Sequence, residues 1–190
     1  MEIIPVVQIF NNKYYENSGL SKISLDNILQ KIDENKDIYF YDKDGILKDK
    51  PNLCTYQKLS GKRNVWSDSG PRVFGDVVDL VMSGVNNIVI RKKLFKDFNI
   101  SSIREITENK IFLLEDLNDG SFSEKNFSTM DVDGIVIFAN NNNINYYLTN
   151  TLKKMIIQYN TYVYETNTKN FTYWENAGVV GILTDLNKKI

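Results

Sequence analysis

The sequence predicts an α/β protein built as a shortened (β/α)8 barrel, and three observations lead to that expectation. The first is a complete strand–helix–strand unit at residues 64–94, NVWSDSGPRVFGDVVDLVMSGVNNIVIRKKL. Val65 and Trp66 form a short apolar strand, and Ser69-Gly70-Pro71 breaks it. Phe74, Val77, Val78 and Val81 then fall at helical spacing, and Gly84 stops the helix before a second strand at 87–90. The second observation is that the strand segments are short, apolar and without alternation, as parallel strands covered on both faces are. The third is that eight such segments recur with helical patterns between them. The chain's 190 residues lie just below the roughly 200-residue lower end of that fold, and the helices after the fifth and eighth strands look reduced. An incomplete helical shell is therefore expected, with a six- or seven-stranded open parallel α/β sheet as the alternative.

The elements follow in order. Residues 3–10, IIPVVQIF, make the first strand, with Gln8 near its C-terminal end, where a polar side chain is accommodated at a strand mouth. Residues 11–24 read as a polar loop, after which Leu25, Ile28, Leu29 and Ile32 take helical spacing behind a Ser24 cap. The second strand, 38–42, runs into a turn at Lys43-Asp44-Gly45. Pro51 suits the first turn of a short helix carrying Leu53, Tyr56 and Leu59, ended by Gly61. The 64–94 unit supplies strands three and four. A short helix at 99–107 precedes strand five at 111–114, which ends in Glu115 and Asp116. Strand six is 134–138, and Ile144, Tyr147, Leu148, Leu152, Met155 and Ile156 make the following helix. Strand seven is 162–164, a helix follows at 171–176, and strand eight is 179–183. All of it reads as one domain over 1–190.

Composition narrows the chemistry. With 42% hydrophobic and 25% charged residues the chain can bury a sizeable core, and its net charge of −1 gives no general attraction to nucleic acid or an anionic membrane. No apolar run is long enough to span a bilayer, and residues 1–5 lack a basic region ahead of an apolar segment, so a cytoplasmic protein is expected. Histidine is absent and Cys54 is the lone cysteine, which removes Cys/His zinc sites and every Ser-His-Asp or Cys-His arrangement. Proton transfer must then use Asp, Glu, Lys, Tyr or Cys54. Neither a metal ion nor a cofactor is assigned.

The strand ends place Asp42, Asp68, Asp116, Glu165 and Asp185 on the C-terminal face, where barrel enzymes carry their chemistry. Converging carboxylates raise one another's pKa or gather around a hard cation. Turn and helix-cap roles account for each acid individually, Asp116 and Asp68 excepted. Tyr39, Tyr41, Trp66, Tyr162 and Tyr164 read as packing aromatics. Arg91, Lys92 and Lys93 after strand four, with Arg72 opposite, could hold one anion, although a solvated basic turn is the simpler reading.

The order IIPVVQIF, FYDKDGI, VWSDSGPRVFGDVVDLVMSGVNNIVI, EDLNDG and NAGVVGILT resembles the histidine-biosynthesis TIM barrels, the ribotide isomerase and its cyclase relative. Ser69-Gly70-Pro71-Arg72, Ser83-Gly84-Val85, Tyr41 to Gly45 and Asp116 to Gly120 stand where that family has its motifs. The resemblance implies an isomerase-like enzyme in which two carboxylates, at the ends of strands one and five, act as general base and acid on an aminosugar phosphate. Asp116 matches the strand-five acid, but Gln8 stands at the strand-one position, so Asp68 or Asp42 is the expected partner. Gly70 and Arg72, with Arg91 and Lys92, are the expected phosphate binders. Glu165 to Thr168 replaces the second phosphate turn, which favours a small or singly phosphorylated sugar-like ligand and makes histidine-pathway turnover itself unexpected. The alternative is a non-catalytic binding or assembly protein that keeps the barrel. A bare strand-eight exterior would recruit a second copy, so a homodimer is expected.

Overall fold

The computed structural model describes residues 1–16, 21–117, 131–138 and 150–186. The chain runs β1 (Glu2–Phe10), β2 (Lys13–Glu16), β3 (Ser21–Ile23), α1 (Leu25–Lys31), β4 (Ile38–Asp42), α2 (Lys43–Lys48) and α3 (Leu53–Leu59). It continues through β5 (Val65–Asp68), α4 (Phe74–Met82), β6 (Asn87–Ile90), α5 (Ile100–Arg104), β7 (Lys110–Asp116) and β8 (Gly134–Phe138). Last come α6 (Asn150–Gln158), β9 (Thr161–Tyr164), α7 (Phe171–Ala177) and β10 (Gly181–Asp185). Strands β1 and β4 to β10 lie side by side in parallel, and β10 pairs back onto β1 from Glu2↔Gly181 to Val6↔Asp185. That pairing closes an eight-stranded, TIM-like barrel and rules out the open sheet.

Each barrel strand buries both faces, which is why its sequence shows no alternation. Outward-facing Val7, Ile9, Phe40, Ile88, Leu113, Ile137 and Val163 pack under Ile28 of α1, Val77 and Leu80 of α4, and Trp174 of α7. Inward-facing Ile4, Val6, Tyr39, Val89, Leu114, Val136 and Leu183 fill the interior. The N-terminal end is plugged by aromatics: Trp66 lies 4.2 Å from Phe112 and 4.8 Å from Tyr162 between ring centroids. Gly134 and Gly181 make that plug possible. A Cβ on Gly134 would sit 2.9 Å from the Phe112 ring, and one on Gly181 would sit 2.7 Å from the Tyr162 ring. The Trp66 indole N–H donates to Asp37 at 2.7 Å, so the buried ring has no stranded donor.

Four sequence expectations are corrected. The 11–24 stretch is not simply loop, because β2 folds back antiparallel on β1 and β3 on β2. Asn11 and Asn12, at φ 51° and 55°, make the two-residue turn that matches the twist of a hairpin. Lys43-Asp44-Gly45 is the first turn of α2, started by the Asp42 carboxylate and ended at Asp49 in left-handed conformation. Pro51 precedes Asn52, the α3 cap, and so lies outside that helix. The last strand starts at Gly181, because α7 ends at Gly178 with φ 93°.

The helical shell over the described residues consists of seven α-helices, of which α2 and α5 are only six and five residues long. The expected thinness between the fifth and sixth barrel strands lies outside the described residues. No helix among them is long and apolar enough to cross a membrane.

Candidate functional site

Alternation along each strand decides what faces the C-terminal mouth. Counting on from the inward core residues, β1 presents Gln8, β4 presents Tyr41, β5 presents Asp68 and β7 presents Asp116. Phe138, Tyr164 and Asp185 complete the ring from β8, β9 and β10, and Arg91 follows β6 in the same phase.

Asp68 and Arg91 are locked together. Arg91 Nε donates to Asp68 Oδ1 at 2.7 Å and a terminal nitrogen to Oδ2 at 2.6 Å, while the Tyr39 hydroxyl donates to Oδ2 at 3.1 Å. Asp68 is fully buried. Burial works against the guanidinium charge, but Asp68 outweighs it and holds the Arg91 pKa above its ordinary value. The Tyr39 phenol is pushed well up, first by burial and then by the Asp68 charge. A buried, two-pronged pair of this kind is costly to break from either side. Asp68 is thus a strut beneath the mouth, with both oxygens engaged. The same guanidinium lies 5.5 Å from the Tyr41 ring and 5.7 Å from the Phe138 ring.

Above this strut is a cavity of about 210 Å³. Val6 forms part of its wall, Tyr41, Phe138 and Tyr164 give it aromatic sides, and Gln8, Lys43 and Asp185 are its polar groups. Phe138 and Tyr164 are stacked at 5.0 Å, and the Tyr164 hydroxyl donates to Asp185 Oδ1 at 2.9 Å. Burial raises the Tyr41 phenol pKa; Arg91 opposes this, and Asp68 and Asp116 add to it, which puts Asp116 within electrostatic reach of the same ring. Gln8 is only 7% exposed, yet among the described residues its carboxamide makes no hydrogen bond. An amide in that position turns two donors and an acceptor towards whatever fills the space.

The other expected site residues are used elsewhere. Asp42 points outward and caps α2 and α3, accepting from the amides of Asp44, Gly45 and Asn52 at 2.7–3.2 Å and from the Tyr56 hydroxyl at 3.0 Å. Burial raises its pKa, and those hydrogen bonds oppose the rise. Glu165 likewise serves the turn before α7, accepting from Asn167, Asn170 and Trp174. The ring of five acids therefore contracts to Asp68, Asp116 and Asp185.

The expected phosphate cradle is closed as well. Arg72 donates to the carbonyls of Gly45 and Ile46 at 3.1 and 2.8 Å and pairs with Asp49 at 2.7 Å. The amides of Arg72 and Val73 donate to Asp76 Oδ2 at 2.6 and 3.1 Å, so the start of α4 is occupied by its own carboxylate. A Cβ on Gly70 would meet Leu94 Cδ1 at 2.8 Å. Lys92 turns outward, with its ammonium 5.9 Å from the Phe98 ring centroid, and burial lowers its pKa against an opposing pull from Glu115.

Lys43 and Phe138 were not anticipated from sequence, whereas Asp185, expected at the mouth just past strand eight, is the last residue of β10. Lys43 follows Tyr41 by two residues, and the phase of β4 would have pointed to it. No group of three or more Asp, Glu or Cys side chains among the described residues is placed to hold one metal ion. Compared with known families and curated proteins, the chain matches no family model and no curated sequence.

Proposed function

We propose that this chain is a diverged relative of the histidine-biosynthesis isomerase barrels that binds one small sugar-like molecule in its C-terminal mouth. The observation that carries this reading is the carboxamide of Gln8, a residue only 7% exposed, at a cavity walled by Tyr41, Phe138 and Tyr164. Aromatic faces suit the C–H face of a sugar, and an amide beside a carboxylate suits its hydroxyls. The order of the resembling segments along the eight strands supports the relationship. In this reading Asp116 is the acid/base group and Asp185, across the mouth, its partner, since both face the mouth by strand phase, whereas Asp68 lies beneath it and Asp42 points outward onto helix amides.

A second reading, binding without turnover, is favoured by one specific feature: an amide stands where the isomerases have a carboxylate, and the neighbouring acid Asp68 is tied to Arg91. Calorimetric titration with ribose, followed by an aldose–ketose interconversion assay, separates the two. Gln8→Leu is expected to weaken binding about tenfold with an unchanged melting temperature. Interconversion that disappears with Asp116→Asn supports the enzyme. Binding with no interconversion supports the second reading, and affinity indifferent to Gln8→Leu contradicts both. The doubly phosphorylated substrate of the histidine pathway is expected to go unconverted.

A further inference from the structure

Lys43 is the first residue of α2 and lines the mouth cavity, half-buried, with its ammonium 5.6 Å from the Tyr41 ring centroid. The basic side chains around it have carboxylate partners: Arg91 has Asp68, Arg72 has Asp49 and Lys48 has Asp44. Among the described residues Lys43 has no carboxylate within ion-pair distance, and the face of Tyr41 is the group its ammonium meets. A ring face attracts the ammonium but accepts none of its three N–H donors in the manner of an oxyanion. A partly desolvated cation at the rim of a cavity is therefore incomplete without an acceptor.

We propose, resting on the reading of the mouth as a ligand site, that Lys43 is the anion-recognising residue and that the ligand is a short polyhydroxylated molecule with a single anionic group. That group is a carboxylate or a phosphate monoester, held by Lys43, with the hydroxyls directed towards Gln8 and Asp185. Asp185 fixes the orientation, because its carboxylate and an anion repel each other. The size agrees: about 210 Å³ is the share of roughly seven liquid waters, enough for one short sugar chain. The Arg72 guanidinium and the Arg72 and Val73 amides, where an anion was expected, already donate within the protein.

Calorimetric titration of the full chain with ribose, ribonate and ribose 5-phosphate tests this, using wild type, Lys43→Gln, Lys43→Arg and Gln8→Leu. The anionic probes are expected to bind about tenfold more tightly than ribose, with an advantage that shrinks as salt is raised. Lys43→Gln should bring the three affinities together, and Lys43→Arg should keep the anionic probes ahead. The better-bound anion then identifies the natural group as carboxylate or phosphate. Equal binding of the three probes, or an advantage that survives Lys43→Gln, overturns the inference; if Gln8→Leu still weakens all three, the mouth remains the site. Indifference of all three probes to Gln8→Leu removes the mouth reading and this inference together. Melting curves of the variants confirm that each compared protein is folded.

Discussion

Asp44 joins two elements of the mouth rim through one carboxylate. It accepts from the amides of Asn11 and Asn12 at 2.9 Å each and pairs with Lys48, fastening the β1–β2 turn to α2. Burial works against its charge, yet Lys48 and the two amides prevail and draw its pKa down to about 2. An acid whose folded pKa lies below its unfolded value of about 3.9 contributes stability in full above that value and loses it as pH falls towards the folded one. Asp44→Asn should therefore lower the melting temperature at pH 7. The gap should narrow as pH falls from about 5 to about 2, and a constant gap over that range would contradict the assignment. At this scale sequence reasoning met its clearest limit. Asp42 and Asp68 both end strands, yet one caps helices outside the barrel and the other lies inside it. Tyr39 and Tyr41 face inward, so Asp42 faces out; Trp66 faces inward, so Asp68 does too. Strands apolar on both faces hide that phase from the sequence.

Elements were legible where hydrophobicity was continuous. The strands at 38–42, 87–90 and 134–138 stand at their expected bounds. The Ser24 cap holds, with its hydroxyl accepting from the Asn27 amide. The β2–β3 excursion was missed because four- and three-residue strands carry little apolar signal, although Asn11-Asn12 between β1 and β2 is hairpin chemistry. The Gly-containing turn after β5 stands where the sequence places it, and its packing gives the glycine a structural reason. Gly70 has φ 66° and packs against Leu94 and Ile46, so it serves close approach of α2. Gly70→Ala should cost about 1–3 kcal/mol in urea denaturation. Its ligand affinity, measured on the folded fraction, should be unchanged. Lost affinity with unchanged stability would restore Gly70 as part of an anion cradle.

For the whole molecule, barrel closure followed from counting eight strands, whereas the composition of the mouth depended on register that counting cannot supply. The dimer expectation rested on a bare exterior at the last strand. On the outer face of β10, Ile182 is fully buried and Thr184 is 2% exposed within one chain, with Leu186 packed against the same core. Sedimentation equilibrium at micromolar concentration should accordingly give a monomer of 22.0 kDa, and twice that mass would contradict it.

The central claim, that the mouth around Gln8 is where a small molecule binds, has a direct spectroscopic test. Titrating ¹⁵N-labelled protein with ribose 5-phosphate while following side-chain amide resonances compares Gln8 with Asn52, whose amide is held by Asp42 and Asp44 outside the barrel. The account predicts a saturable shift of the Gln8 carboxamide while that of Asn52 stays still. A stationary Gln8 signal, with shifts gathered instead around Gly70 and the start of α4, would contradict it.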